Sequence, residues 1–341
     1  MTKHITSIDV ARRAGVSQST VSRVFSDKHP AVSAETRQRV LTAAADLGYR
    51  PNAIARMMST RRTHIVGILM ANITSPFYPY VLEKFLQRLQ ALDRQALVFT
   101  ASAHQDVDAL LPLVLQHQVA ALIVTSATLS SETADECARS GVPVILFNRY
   151  VRGGAASAVC ADNVAGGRLA ADVLLDTGHR RLAYIAGTPD TSTNTDRERG
   201  FADRLAERGD TSWRRAQADY TYETGFAAAH DLLAGSDPPD ALFCANDIMA
   251  LGALDAVRQI GARVPEDVSI IGFDDIPMAG WGAYHLTTIR QEVDAMIAAT
   301  LDLLHAKLDQ PDSPPVLRLI PGSLIVRGSV RGLDRTQESG A

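Results

Sequence analysis

Ile8-Asp9-Val10-Ala11-Arg12-Arg13-Ala14-Gly15-Val16-Ser17-Gln18-Ser19-Thr20-Val21-Ser22-Arg23-Val24 reads as a helix, a tight turn and a second helix. Thr6 or Ser7 can cap the first helix, which carries Ile8, Val10, Ala11 and Ala14, and Gly15 breaks it. Ser17 can cap the second, with Val21 and Val24 inward. Ala11, Val16 and Val21 are placed to pack between the two and fix their crossing. That leaves Gln18, Ser19, Ser22 and Arg23 facing outward, as a recognition helix requires. Gln pairs with the adenine edge in two places and Arg with guanine. Ser17, Thr20 and the helix N-terminus suit phosphate. A third helix follows, capped by Ser33 with Glu35 close behind. It carries Val40, Leu41, Ala44 and Leu47 on one face and is ended by Gly48.

Charge supports a polyanion partner for this end alone. Residues 1–62 hold 11 Lys/Arg against 4 Asp/Glu, while the remainder holds 23 against 34. Pro51 opens a short segment, Asn52 to Thr60, with helical propensity but little to bury, and Arg61-Arg62-Thr63 links it onward. At 341 residues the chain has room for two or three domains. It has no apolar run of the ~18 residues a membrane span needs, and Met1 to Val10 has no secretory apolar stretch. The three cysteines, Cys137, Cys160 and Cys244, match no disulfide or metal spacing and read as reduced core residues of a cytoplasmic protein.

From His64 the pattern becomes strand, helix, strand. Strands are expected at His64–Met70, Ala96–Thr100, Ala120–Thr125, Pro143–Phe147, Leu182–Ala186, Ala241–Cys244 and Val268–Phe273. Helices are expected at Tyr80–Leu92, Val107–Gln118, Gly166–Asp176, Arg199–Arg208 and Ile248–Ile260. The alternation implies an α/β fold with two doubly wound parallel-sheet subdomains behind the all-α helix-turn-helix headpiece. Ligands in such folds sit beyond the carboxyl ends of strands. Several polar and aromatic residues fall there: Pro76, Phe77 and Tyr78; Asn148 and Arg149; Asn246 and Asp247; Asp274 and Asp275; and a loop, Gly187 to Asp196, leading into Arg197.

The quoted stretch closely resembles the headpiece of LacI-type repressors. The likeness continues through Val32-Ser33-Ala34-Glu35-Thr36-Arg37 and Leu47-Gly48-Tyr49-Arg50-Pro51-Asn52-Ala53-Ile54-Ala55-Arg56, and then across most of the rest. Ala245-Asn246-Asp247-Ile248-Met249-Ala250-Leu251-Gly252, Ile270-Ile271-Gly272-Phe273-Asp274-Asp275 and Leu286-Thr287-Thr288-Ile289-Arg290-Gln291 carry it, as does Arg197-Glu198-Arg199-Gly200-Phe201. The resemblance implies a periplasmic-binding-protein-like sensor over residues 64–330. It also implies a hinge helix at Pro51–Thr60 that enters the minor groove, with Asn52 at its start, Ala55 near the groove floor and Met58, where Leu is usual, as the wedge. Its effector contacts fall on Phe77, Tyr78, Asn148, Thr193, Arg197, Tyr220, Asn246 and Asp274. For Arg149 two readings are open, affinity for an anionic sugar or a salt bridge on the subdomain rim.

The expected organisation is a headpiece over 1–50, a hinge and linker over 51–62, and an effector and dimerisation domain over 63–341. That domain divides into an N-subdomain (about 63–161 plus 291–322) and a C-subdomain (about 162–290 plus 323–341). The tail Gly332–Ala341 has no leucine heptad, so a homodimer on a pseudo-palindromic operator is expected rather than a tetramer. The expected function is a transcriptional repressor whose operator affinity is controlled by a sugar or sugar acid, with a purine or another metabolite as the alternative effector. Two other classes remain as rivals: an α/β enzyme and a plain sugar-binding module. No G-x-S-x-G elbow, phosphate loop, dinucleotide fingerprint or metal cluster occurs, so neither catalysis nor a cofactor is expected.

Overall fold

The computed structural model describes residues 5–25, 32–49, 63–71, 73–101, 107–125, 130–209 and 212–333. The chain divides into two compact units, Met1–Thr63 and His64–Ala341. Among the described residues no helix is long and apolar enough to cross a membrane.

In the first unit, α1 (Ser7–Ala14), α2 (Gln18–Val24) and α3 (Ala34–Leu47) enclose a small core of Val10, Ala11, Ala14, Val21, Val24, Val40, Ala43 and Ala44. Each start follows from a side chain. Thr6 is the N-cap of α1, and the Asp9 carboxylate accepts from the Thr6 backbone N–H at 3.0 Å. The Ser17 and Ser33 hydroxyls accept from Thr20 N–H and Thr36 N–H. Gly15 takes φ 65° at the turn, a region where a Cβ is costly. Two expected core positions turn outward. Ile8 is 52% exposed and Leu41 is 37% exposed, because a core this small is filled by alanines on the facing helices.

The second unit holds two six-stranded sheets. The first runs β2 (Gln95–Ala101), β1 (Ile65–Ala71), β3 (Ala121–Thr125), β4 (Val144–Phe147), β5 (Ser157–Ala161) and β11 (Leu317–Ile320), all parallel. The second runs β7 (Arg214–Gln217), β6 (Leu182–Ala186), β8 (Ala241–Cys244), β9 (Ser269–Asp274), β10 (Thr287–Arg290) and β12 (Ser323–Ile325). It is parallel except for the antiparallel β10–β12 edge. The helices are α4 (Phe77–Ala91), α5 (Leu111–Gln116), α6 (Ser131–Arg139), α7 (Asn163–Asp176), α8 (Ser192–Glu207), α9 (Tyr222–Leu233), α10 (Asp247–Gln259) and α11 (Val293–Asp309).

The chain passes between the sheets three times: after β5, after β10 and between β11 and β12. Central strands are apolar throughout, as sheets covered on both faces require; β3, β4, β6, β8 and β9 are buried at every residue.

The expected helix over Val107–Gln118 is broken. A 3₁₀ turn, Asp108–Leu110, precedes a short α5 that carries Pro112 in its first turn, because a proline amide cannot donate to the preceding turn. By contrast α4 starts three residues earlier than expected, since Pro79 sits in the first turn where the missing N–H is harmless.

Candidate functional site

Two sites emerge, one in each unit. On α2, Gln18, Ser19, Ser22 and Arg23 are exposed, while Val21 and Val24 anchor the helix in the core. Ser17 is bound into its cap, with its hydroxyl 2.8 Å from that of Ser19 and 2.9 Å from that of Thr20. Gln18 donates to the Ser7 hydroxyl at 3.1 Å, which aligns it along the helix pair. Arg39 was not singled out by the sequence. Its guanidinium donates to the Ala14 carbonyl at 2.6 Å and locks the turn. Asn52, Ala55 and Met58 lie outside the described residues.

In the second unit the C-terminal ends of six strands converge on one cleft. Its lining is Ser75, Phe77, Tyr78, Asn148, Arg149, Thr193, Arg197, Tyr220, Asn246 and Asp274, around about 370 Å³ of open space including the mouth. Thus all nine cleft residues named from the sequence meet in one place, and Ser75 joins them.

Arg197 is the most constrained of these groups. It is 2% exposed. Its Nε donates to Asn163 Oδ1 at 2.8 Å, its Nη1 to the Ala245 carbonyl, and its Nη2 lies 3.4 Å from Asp274 Oδ1. The guanidinium carbon sits 3.6 Å from the centre of the Phe273 ring. This depends on the close approach of α7 and α8. A Cβ on Gly167 would fall 2.2 Å from the Arg197 carbonyl oxygen, and one on Gly200 2.1 Å from that of Val164.

Asp274 accepts from Gln291 Nε2 at 2.6 Å at the same oxygen that meets Arg197, and the residue lines the cleft. Asp247, fully buried behind it, accepts from Thr288 Oγ1 and from the Ile276 amide. Burial holds both carboxyls above the usual carboxylate range, and the mutual repulsion of the pair raises Asp247 further. Asp247 therefore acts as a brace across the end of the sheet rather than as a helix cap. Asp275 is also structural, pairing with Arg290 at 2.7 Å and Arg327 at 2.6 Å.

The remaining lining is set by unusual backbone. Asn148 (φ 65°), Tyr220 (φ 70°) and Asp274 (φ 124°) all sit in the left-handed region, a strain that clusters at ligand sites. The Tyr220 ring covers Gly187, where a Cβ would fall 2.1 Å from the ring, and the Tyr220 hydroxyl is 3.2 Å from Thr193 Oγ1. Asn246 caps α10 through Oδ1, accepting from Met249 N–H at 3.1 Å, which leaves its amide donors for the cleft. Burial pushes the Tyr78 phenol up, while the nearby Arg149 charge and the Asn148 side chain pull it down. The buried Asn148 Oδ1 and Arg149 Nε have no hydrogen-bond partner among the described residues.

A set of contacts that the sequence reading missed spans the two subdomains. The Tyr150 hydroxyl donates to Asp196 Oδ2 at 2.7 Å, and the Tyr150 amide to Ser192 Oγ at 3.1 Å. Arg152 Nη2 reaches Asp196 Oδ1 at 3.4 Å. The signal available was Asp196 immediately before Arg197, opposite the Asn148-Arg149-Tyr150 run.

A helix-turn-helix reader in one chain with a two-subdomain cleft defines a DNA-binding regulator with an effector domain. The comparisons agree. Residues 7–52 match the family model of bacterial regulatory proteins of the lacI family, and residues 171–330 match a periplasmic binding protein-like domain. The regulator GalS of Salmonella typhimurium strain LT2 is 33% identical over 305 residues, 88% of each chain. The lac repressor dimer, solved bound to operator and the anti-inducer ONPF, superposes with TM-score 0.86 at 26% identity over 96% of this chain and 99% of that one. A complex of the transcriptional regulator CelR with cellobiose gives TM-score 0.71 at 31% identity over 95% and 99% of the two chains. The chain belongs to the LacI family of bacterial transcriptional regulators.

Proposed function

We propose that the protein is a cytoplasmic, homodimeric repressor that acts by binding and not by turnover. Its operator affinity is set by one hydroxyl-rich small molecule, a monosaccharide or sugar acid, held in the cleft. Residues 1–50 read DNA, 51–62 serve as hinge, and 63–341 sense ligand and dimerise. The observation that carries this is the convergence of Arg197, Asp274, Asn246 and Asn148 with the faces of Phe77, Tyr78 and Tyr220 at the strand ends of both sheets. A sugar needs several fixed hydrogen bonds and one flat apolar face, and this cleft offers both. The cellobiose bound by the relative CelR and the operator bound by the lac repressor dimer support the two halves of the reading.

Asp274 accepts from neighbouring hydroxyls with its oxygen that is not held by Arg197 and Gln291, Asn246 donates, and Tyr220 covers the C–H face of the ring. The ligand touches both subdomains, so it favours one mutual orientation over another and biases the spacing of the two hinges of a dimer. It shifts operator affinity only by its differential affinity for the two orientations, typically ~1–3 kcal/mol. The test is a thermal-shift screen of sugars, sugar acids and purines, followed by calorimetry of the best ligand on wild type and Asp274→Ala. Ligands binding the folded state raise Tm. Loss of binding in Asp274→Ala is expected; unchanged affinity would overturn the site, and a purine as the only hit would replace the sugar.

A further inference from the structure

We infer that the effector carries one negative charge, as a carboxylate set among hydroxyls, and that Arg149 is its counter-charge. The inference rests on the proposed sugar-type site and narrows it. Among the described residues three charged side chains line the cleft: Arg149, Arg197 and Asp274. Arg197 and Asp274 neutralise one another, with the guanidinium also held by Asn163, the Ala245 carbonyl and the Phe273 ring. That leaves Arg149, among the described residues, as the cleft cation with no carboxylate beside it. Among the described residues no carboxylate lies within salt-bridge distance of it, so the rim salt bridge, the other reading open from the sequence, is not formed. Nearby carboxylates go elsewhere, as Asp196 is already engaged by Tyr150, Arg152 and Arg199.

Among the described residues the enclosed Arg149 Nε–H has no acceptor, and the adjacent buried Asn148 Oδ1 has no donor. Arginine does not shed its proton in proteins, so burial cannot remove the mismatch by neutralising it. Arg149 is half-buried, and an enclosed Nε–H without an acceptor is unfavourable, whereas a planar carboxylate fits the guanidinium fork. A hydroxyl beside that carboxylate would donate to Asn148 Oδ1. Donor and acceptor at neighbouring positions thus match a hydroxy acid of the aldonate or uronate kind better than a neutral sugar. The Asp274 end of the cleft then receives the hydroxyls further along the ligand.

The experiment measures Tm and calorimetric affinity for wild type, Arg149→Met and Arg149→Lys. Each is taken alone and with D-gluconate, D-galacturonate, D-glucitol and D-galactose at matched ionic strength. Without ligand, Arg149→Met is expected to keep Tm or raise it by up to about 2–4 °C, because it removes an enclosed N–H that has no acceptor and keeps the apolar stem. In wild type the better acid should bind about tenfold more tightly than its neutral counterpart, the effect of one charge-assisted contact. Arg149→Met should close that gap, and Arg149→Lys should restore part of it. A lower Tm for ligand-free Arg149→Met would show that the cation is structural and overturn the inference. So would a neutral sugar that binds as well as its acid. If no member of either pair binds, the sugar-type site itself fails, while the ligand-free Tm of Arg149→Met still decides whether the cation is unpaired.

Discussion

The recognition helix and the cleft present their functional side chains in opposite ways. On α2 the residues aimed outward are exposed and lightly bonded; the core behind them is built from other positions. In the cleft the same side chains that line the opening also hold the fold. Arg197 joins α8 to α7, to the end of β8 and to β9 at once. Changing the reader should therefore alter specificity and leave stability alone. Changing the cleft should alter both, and some losses of ligand response there will be losses of structure.

Arg197→Ala is the strongest way to break this contrast. It leaves Asp274 buried with Gln291 and no counter-charge, which typically costs ~3–5 kcal/mol. Chemical denaturation should show that loss, and ligand binding should vanish with it. A variant as stable as wild type would mean that the pair is held together only loosely. Arg23→Ala should do the reverse, losing ~1–3 kcal/mol of discrimination between preferred and altered operators with denaturation unchanged. Equal losses on operator and random DNA would reduce Arg23 to a phosphate contact.

Acid sensitivity separates the two regions further. His179 is fully buried, its ring bonded to Ser269 Oγ at 2.8 Å, and burial lowers its pKa below 6.5. The unfolded chain then takes up the proton first. His179's share of sensor stability is complete above about pH 6.5 and is lost as pH drops below it, by at most ~1.4 kcal/mol per pH unit, while the raised carboxyls of Asp247 and Asp274 take up protons in the folded state and oppose it. His179→Gln should remove that share, so that a denaturation series from pH 7 to 5 moves toward greater stability at the acid end relative to wild type; a series parallel to wild type would show that His179 contributes none of it. The smallest expected effect is that of Tyr150→Phe. It removes one hydroxyl donor to Asp196 across the subdomains, ~0.5–1.5 kcal/mol, while Arg152 and Arg199 remain. Its mark should be a changed ratio of ligand-bound to ligand-free operator affinity, with little change in ligand affinity itself. No change in that ratio would make the contact mere packing.

What was legible in the sequence follows the same divide. The headpiece is local, so caps at Thr6, Ser17 and Ser33 and the break at Gly15 can be read within a few residues of their effects. Its errors, Ile8 and Leu41, arise where a small core fills before every apolar residue is used. The central strands of the sensor announce themselves as apolar runs. The edge strand β7 does not, because Arg-Arg-Ala-Gln alternates polar side chains on an open edge. Helix α11 is buried over much of its length and lacks a clean polar face. Cleft residues were assignable from strand-end position and family likeness. Their mutual bonding was not, since Arg197, Asn163 and Asp274 are brought together only by the close packing of α7 on α8 and the order of the second sheet. Tyr150 and Asp196, 46 residues apart, meet only when both subdomains are in place.

The central claim is that cleft and reader are coupled in one chain. The most direct test is the operator affinity of the full-length protein, on DNA selected in vitro for binding, with and without a saturating ligand from the thermal screen. Coupling of ~1–3 kcal/mol predicts a change of about 5–150-fold in operator Kd for wild type, and by linkage the same factor in ligand affinity when operator is present. A ligand that occupies the cleft by calorimetry yet leaves operator affinity unchanged would contradict the account.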